Sequence, residues 1–191
     1  MGQRIPGIRS IKENRERMSV SAPCFSMKQK EGAGRNMQKR VEDSKTEQTY
    51  LIMHRHINGY GRLFGGQLLQ WIDEIAGIVS KRHAGVETTT ASIDNLNFKA
   101  AAFLNDMVVL IGRLTYVGSS SMEVRVDTYV EGLDGIRRVI NRAHVVMVAL
   151  DENGYPIKVP GLQIETEAEK AEWESGEKRY KLRKQRRIEG F

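Results

Sequence analysis

The most constraining feature of this chain is a single apolar helix that must serve a whole sheet. From Gln67 to about His83 the apolar residues Leu68, Leu69, Ile72, Ile75, Ala76 and Val79 recur at helical spacing. The polar stripe, Gln67, Gln70, Glu74 and Lys81, is narrow, so the helix is expected to be wrapped rather than laid on one surface. Thr46–Met53 reads as a strand before it. Strands at about Thr88–Phe98, Met107–Val117, Ser121–Glu131 and Arg138–Leu150 follow. Gly118-Ser119-Ser120, Gly132–Gly135 and Asp151–Gly154 carry the turn chemistry between them. Met107–Val117 and His144–Leu150 are almost continuously apolar, as in strands buried on both faces or at a subunit contact. One helix and one mostly antiparallel sheet curved around it make an α+β fold.

The remainder divides by charge. Of the net +6, residues 1–45 hold 11 basic and 5 acidic side chains, residues 46–164 hold 11 and 12, and residues 165–191 hold 8 and 7. The basic excess therefore belongs to a polar N-terminal segment without helical or strand periodicity, which composition reads as disordered over 1–45. That segment lacks a secretory apolar core, its acidic residues Glu13, Glu16, Glu31 and Glu42 argue against a transit peptide, and Pro6 argues against myristoylation. Translation starting at Met18, Met27 or Met37 is an equally plain account of it. Residues 46–162 form the folded domain, and 163–191 a charged, solvated C-terminal helix at about Glu165–Arg187. A single cysteine, Cys24, excludes an internal disulfide framework. No stretch approaches the ~20 apolar residues of a membrane-spanning helix, so membrane insertion is not expected. Nor is nucleic-acid binding, since no helix-turn-helix, RNP-type strand or aromatic platform accompanies the basic tail.

Several chemical signatures fail. The glycines between Gly59 and Gly66 do not have dinucleotide-binding spacing, and there is neither a phosphate-binding P-loop nor a nucleophile elbow. His54 and His56 alternate near a strand end but lack a third metal ligand, so no metal is expected. Two features remain. Gly65 and Gly66 precede the helix, where backbone N–H groups and the helix dipole suit a developing negative oxygen; tight packing at a helix start is their ordinary use. Asp73 lies in the most apolar part of the helix, with Gly66 and Gly77 on its side, and a carboxylate there is paired or working. An edge carboxylate at a subunit contact is the plain alternative. Gly66 and Asp73 are separated by roughly 10 Å along one helix. They cannot readily address one carbonyl within one chain, so joint catalysis requires the donor of one subunit to meet the carboxylate of another.

The run Asn58-x5-Phe64-Gly65-Gly66-x6-Asp73 resembles the acyl-CoA thioesterases of the hot-dog fold, in particular bacterial acyl-CoA hydrolases related to the cytosolic long-chain hydrolase. Thr90, Asp94-x3-Phe98, Asp106, Gly118–Met122, Val148–Asp151 and Val159-Pro160 extend the likeness over about Glu47–Leu162. The resemblance implies a sheet wrapped on the long helix, a homodimer assembled into a hexamer as a trimer of dimers, and cytoplasmic hydrolysis of fatty acyl-CoA to fatty acid and CoA at a site shared by two subunits. It implies Asp73 as general base or nucleophile, Asn58 of the partner chain and the Gly65 and Gly66 N–H groups polarising the carbonyl, and Thr90 positioning the carboxylate or water. It further implies Ser119, Ser120 and Ser121 near the nucleotide or pantetheine part of CoA, and no cofactor beyond the CoA of the substrate. Tyr60 and Arg62 depart from the small, amide or acidic residues common there, which bears on the loop's shape. Arg82, Arg113, Arg137, Arg138 and Lys158 are the candidate cations for CoA phosphates. The alternative reading is a hot-dog protein that binds acyl-CoA without turnover; retention of both Asn58 and Asp73 favours the enzyme. A dehydratase would carry an Asp/His signature that is missing.

Overall fold

The computed structural model describes residues 38–190. The readings made for residues 1–37, disorder and alternative starts included, lie outside the described residues. The elements are β1 (Gln38–Arg40), β2 (Thr46–Leu51), a 3-10 turn at His54–His56, α1 (Gly65–Ala84), β3 (Thr88–Phe98), β4 (Met107–Val117), β5 (Ser121–Glu131), β6 (Arg137–Ala149), β7 (Gly161–Gln163) and α2 (Glu167–Glu189). β2, β4, β5, β6 and β3 form, in that order, a five-stranded antiparallel sheet.

α1 buries Leu68, Trp71, Ile72, Ile75, Ala76, Val79, Ser80 and His83 against the concave face of this sheet. Its axis comes close because β4 carries Gly112, where a Cβ would lie 3.0 Å from Val79 Cγ2 and 3.3 Å from Ile75 Cγ1. The inward residues of β5, Met122, Val124, Val126 and Val130, alternate with Glu123, Arg125 and Asp127 on the opposite face. The helix is not wrapped all round as its composition predicts. Gln70, Asp73 and Glu74 are exposed on a stripe that the sheet of one chain leaves uncovered.

Three features differ from the sequence reading. Within the segment read as disordered, Gln38–Arg40 pairs in parallel with Gly161–Gln163, and Val41 and Leu162 join the core. Lys39 Nζ then donates to the carbonyls of Arg82 (3.0 Å) and His83 (2.6 Å), placing a cation on the C-terminus of α1. Gly65-Gly66 lies inside α1 rather than in the loop before it. The C-terminal helix is anchored, not merely solvated. It begins with a capping box between Thr166 and Glu169. Trp173 and Tyr180 pack on Tyr116 with ring centroids 4.7 and 5.3 Å apart. Arg179 and Arg183 each reach Glu123 at 2.7 Å, and Glu172 pairs with Arg125. α2 thereby covers the outer face of β4 and β5, so the near-continuous apolar run of β4 fits the interior of a sheet covered on both sides.

Candidate active site

Asn58 sits in the loop between the 3-10 turn and α1. Its Oδ1 accepts the N–H groups of Tyr60 (2.9 Å) and Arg62 (3.2 Å), and its own N–H donates to the Arg62 carbonyl at 2.8 Å. This closed turn needs Gly61 at φ +69°. The pattern consumes the acceptor end of the amide and leaves Nδ2 with no partner among the described residues, a pair of donors facing outward. Tyr60 and Arg62 supply backbone donors while their side chains are exposed, so their bulk does not disturb the turn.

The loop is tied to the helix start by His56. Its carbonyl accepts the Phe64 N–H at 2.8 Å, and its ring lies edge-on to Trp71 with centroids 5.1 Å apart. Its Nδ1 faces the Met53 N–H at 3.1 Å and its Nε2 faces Arg55 Nε at 3.0 Å, and a neutral imidazole accepts from one of these two donors. Phe64 is the N-cap of α1 and offers no side-chain cap, and no acidic residue occupies the first turn. The N–H groups of Gly65 and Gly66 therefore remain as donors at the positive end of a 20-residue helix.

Asp73 projects from the exposed stripe of α1. Its Oδ1 accepts the Thr90 hydroxyl at 2.6 Å. Thr90 lies on β3 at a register shift: Thr90 pairs with Met147 and Ser92 with Val146, leaving Ala91 as an extra residue. Such a bulge re-aims neighbouring side chains. Thr88, two residues earlier, meets Ser80 of α1 at 2.8 Å. Asp73, Gly77, Thr88, Thr90 and Met147 line one groove, and nothing lies within 4 Å of where a Gly77 Cβ would stand.

The structure thus brings Asp73 to Thr90, and Asn58 to the N-terminus of α1, but does not bring the two pairs together. Asn58 lines a different cavity, with Leu63, Leu68 and Phe98. Ser119, Ser120 and Ser121 lie apart from both, at the β4–β5 hairpin, in a cavity shared with Tyr180, Lys184 and Arg187 of α2. Among the cations singled out for phosphate, Arg113 pairs with Asp127, Arg137 with Glu47 and Glu131, and Arg82 bonds Thr46 Oγ1. The α2 cations were hidden from sequence reasoning because a run of charges at helical spacing looks the same whether solvated or set beside a cavity.

Beside Asp73, β3 forms one edge of the sheet, and Thr89–Ile93 is exposed. An eleven-residue edge with open backbone groups invites another strand.

The thioesterase superfamily profile matches residues 60–135. YkhA of Bacillus subtilis, an uncharacterized acyl-CoA thioester hydrolase, is 40% identical over 129 residues, covering 67% of this chain and 75% of that protein. The acyl-CoA hydrolase of Staphylococcus aureus, solved with butyryl-CoA, CoA and CoA disulfide, superposes with a TM-score of 0.76 at 33% identity over 80% of this chain and 93% of that one. Variants of it with an aspartate, an asparagine or a threonine replaced by alanine have also been solved. An apo-hexameric acyl-CoA thioesterase superposes with a TM-score of 0.75 at 39% identity, over 78% of this chain and 97% of that one. With its antiparallel sheet packed on one long helix, this chain belongs to the hot-dog acyl-CoA thioester hydrolases.

Proposed function

We propose that the protein hydrolyses fatty acyl-CoA to free fatty acid and CoA at a site built by two subunits. Asp73 Oδ2, free while Oδ1 holds Thr90, takes the proton of a water that attacks the thioester carbonyl carbon. The resulting oxyanion accepts hydrogen bonds from Asn58 Nδ2 and from the Gly65 and Gly66 N–H groups of the other chain. Collapse expels the CoA thiolate, and the proton on Asp73 leaves with it. Thiolate is a fair leaving group, so no separate strong acid is required. Pairing of the free β3 edges would set one chain's Asp73 against its partner's Asn58, within a hexamer like that of the similar thioesterase. The Gly118–Ser121 hairpin contacts the CoA portion.

The observation that carries this reading is a shared spacing. In the Staphylococcus aureus enzyme the replaced asparagine precedes the replaced aspartate by fifteen positions and the threonine follows it by seventeen. Asn58, Asp73 and Thr90 stand at those intervals. Thiol release from acetyl- to palmitoyl-CoA by the wild type and by Asp73→Asn tests it. Turnover that disappears in the variant is expected. No turnover by a folded, oligomeric wild type overturns it in favour of acyl-CoA binding without hydrolysis.

A further inference from the structure

We propose that the cavity beside Asn58 retains the free fatty acid formed in the reaction, with its carboxylate held by Arg62 and Lys99 and its alkyl chain on an apolar floor, so that the enzyme is inhibited by its own product. The inference rests on the hydrolase reading above and adds regulation to the same site. The cavity lies between the loop before α1, the chain after β3 and β6, and has a volume of about 270 Å³. Its floor is Leu68 of α1, Ala102 and Ile140 of β6, all buried, with Leu63 half-buried beside them. Two backbone hydrogen bonds frame it. The Leu63 N–H donates to the Ala102 carbonyl and the Lys99 N–H to the Ile140 carbonyl, both at 2.8 Å, so the walls stand at a fixed spacing. The volume falls below the ~300–1,000 Å³ of drug-sized sites, which suits an alkyl chain of medium length.

The rim is cationic. Asn58, Arg62 and Lys99 line it, no carboxylate lines the cavity, and neither cation has an acidic partner among the described residues. Arg62 is fixed there by the turn: its N–H meets Asn58 Oδ1 at 3.2 Å and its carbonyl accepts the Asn58 N–H at 2.8 Å. The first turn of α1 adds donors and no acid. A thioester carbonyl is neutral; donors suffice for it, and two further positive charges do not serve it. An alkyl carboxylate uses the whole arrangement, with charge-assisted hydrogen bonds at its head and apolar surface along its tail. Hydrolysis makes that amphiphile in place. The oxygen of water joins the acyl carbon, the C–S bond breaks, CoA leaves as the thiol, and the acid gives its proton to solvent. In the shared site proposed above this carboxylate faces the partner's Asp73, and like charges repel. Arg62 and Lys99 offset that repulsion and hold the product.

The test compares an anionic and a neutral head on one chain. Decanoate and decanol are assayed as inhibitors of acyl-CoA hydrolysis by the full-length wild type, by Arg62→Gln/Lys99→Gln and by Arg62→Lys. The wild type should bind decanoate more tightly than decanol. In the double variant that preference should fall at least about tenfold, the worth of hydrogen bonds to a charged group, while decanol inhibits as before. Arg62→Lys should keep most of the preference, and added salt should weaken decanoate alone. Equal inhibition of the wild type by both compounds overturns the proposal, as does an unchanged preference in the double variant. A raised KM for acyl-CoA but not for the acyl-pantetheine, with the decanoate preference unchanged, would give the two cations to CoA and overturn it as well. Should the wild type hydrolyse no thioester, the hydrolase reading fails; calorimetric titration with decanoate and decanol then reads the same preference as a ratio of Kd values and decides the cavity's role as an alkyl carboxylate site.

Discussion

The Thr90 hydroxyl donates to Asp73 Oδ1 across 2.6 Å, from an edge strand to the helix beside it. This bond turns a side chain exposed in the single chain into an oriented one. It occupies one carboxylate oxygen and presents the other to the groove. Thr90→Val keeps the β-branched shape and removes the donor, so kcat should fall on the order of tenfold to a hundredfold, the worth of one hydrogen bond to a charged group. Thr90→Ser should retain most of the activity. Steady-state kinetics of the two variants decides; equal loss in both would mean that shape, not the hydroxyl, matters.

The amide of Asn58 divides between the turn and the proposed chemistry. Oδ1 shapes the turn through the Tyr60 and Arg62 N–H groups, and Nδ2 is free. Asn58→Asp therefore keeps the turn's acceptor but replaces the donor proposed to polarise the carbonyl with a charge of the wrong sign. Turnover should drop by roughly a hundredfold or more, as when an oxyanion donor is lost, while thermal unfolding stays near wild type. A variant that keeps its rate would remove Asn58 from the mechanism.

The α+β architecture was legible because one apolar helix is followed by strands with clear turn chemistry. The bounds read for β3, β4 and β5 coincide with those observed. Strands of three residues were not legible: β1 and β7 have no room to express a period, and they exist through each other's hydrogen bonds and through Lys39 on α1. The candidate site could be marked out only as residue types at spacing, Asn58 through Asp73. What sequence could not show is which amide atom is free, or that α2's charges answer Glu123, Arg125 and Asp94 across the sheet. Tertiary pairing leaves no periodic signature.

A shared site has a quantitative consequence. Asp73→Asn and Asn58→Ala homo-oligomers are each expected to be inactive. In a mixed dimer one site receives both substitutions and the other receives neither. Random reassembly of equal amounts should therefore restore about a quarter of wild-type activity, given an isologous two-fold interface. Mixing after dissociation and refolding, followed by thiol-release assay, measures it. No recovery would confine the site to one chain.

Glu123 is the pivot of the outer face. It is 1% exposed and accepts from Thr115, Arg179 and Arg183. Burial pushes its pKa up, but the hydrogen bonds from Arg179, Thr115 and Arg183 prevail and hold the carboxyl below its ordinary range. Glu123→Ala strands the Arg179 guanidinium and leaves Arg183 only Asp94 at 3.5 Å, and should cost about 3–5 kcal/mol, the range for breaking a buried ion pair. Chemical denaturation reads the loss. A cost under about 1 kcal/mol would mean that α2 re-seats itself with its arginines in water.

His144 gives this outer face a pH dependence of its own. It lies beneath α2, 7% exposed, with Nδ1 unpartnered. Burial, with Arg179 and Arg125 nearby, lowers its pKa to about 4 against the opposing pull of Glu123 and Glu172. The unfolded chain binds a proton at this residue near pH 6.5 while the native state does not, so the unfolded state carries more protons between these values and stability falls as pH drops. Spread over that window the loss is about 3 kcal/mol. His83, also lowered by burial, acts in the same direction. Glu123 and Asp127 are held below the ordinary carboxylate range, so their contribution is present above the unfolded pKa and is lost only in more acid solution. The interval from about pH 4.5 to 6.5 therefore isolates the histidines. His144→Gln should flatten the dependence of the urea midpoint on pH across it, leaving only the smaller slope from His83. An unchanged slope would mean that α2 lifts to let His144 ionise in the folded protein.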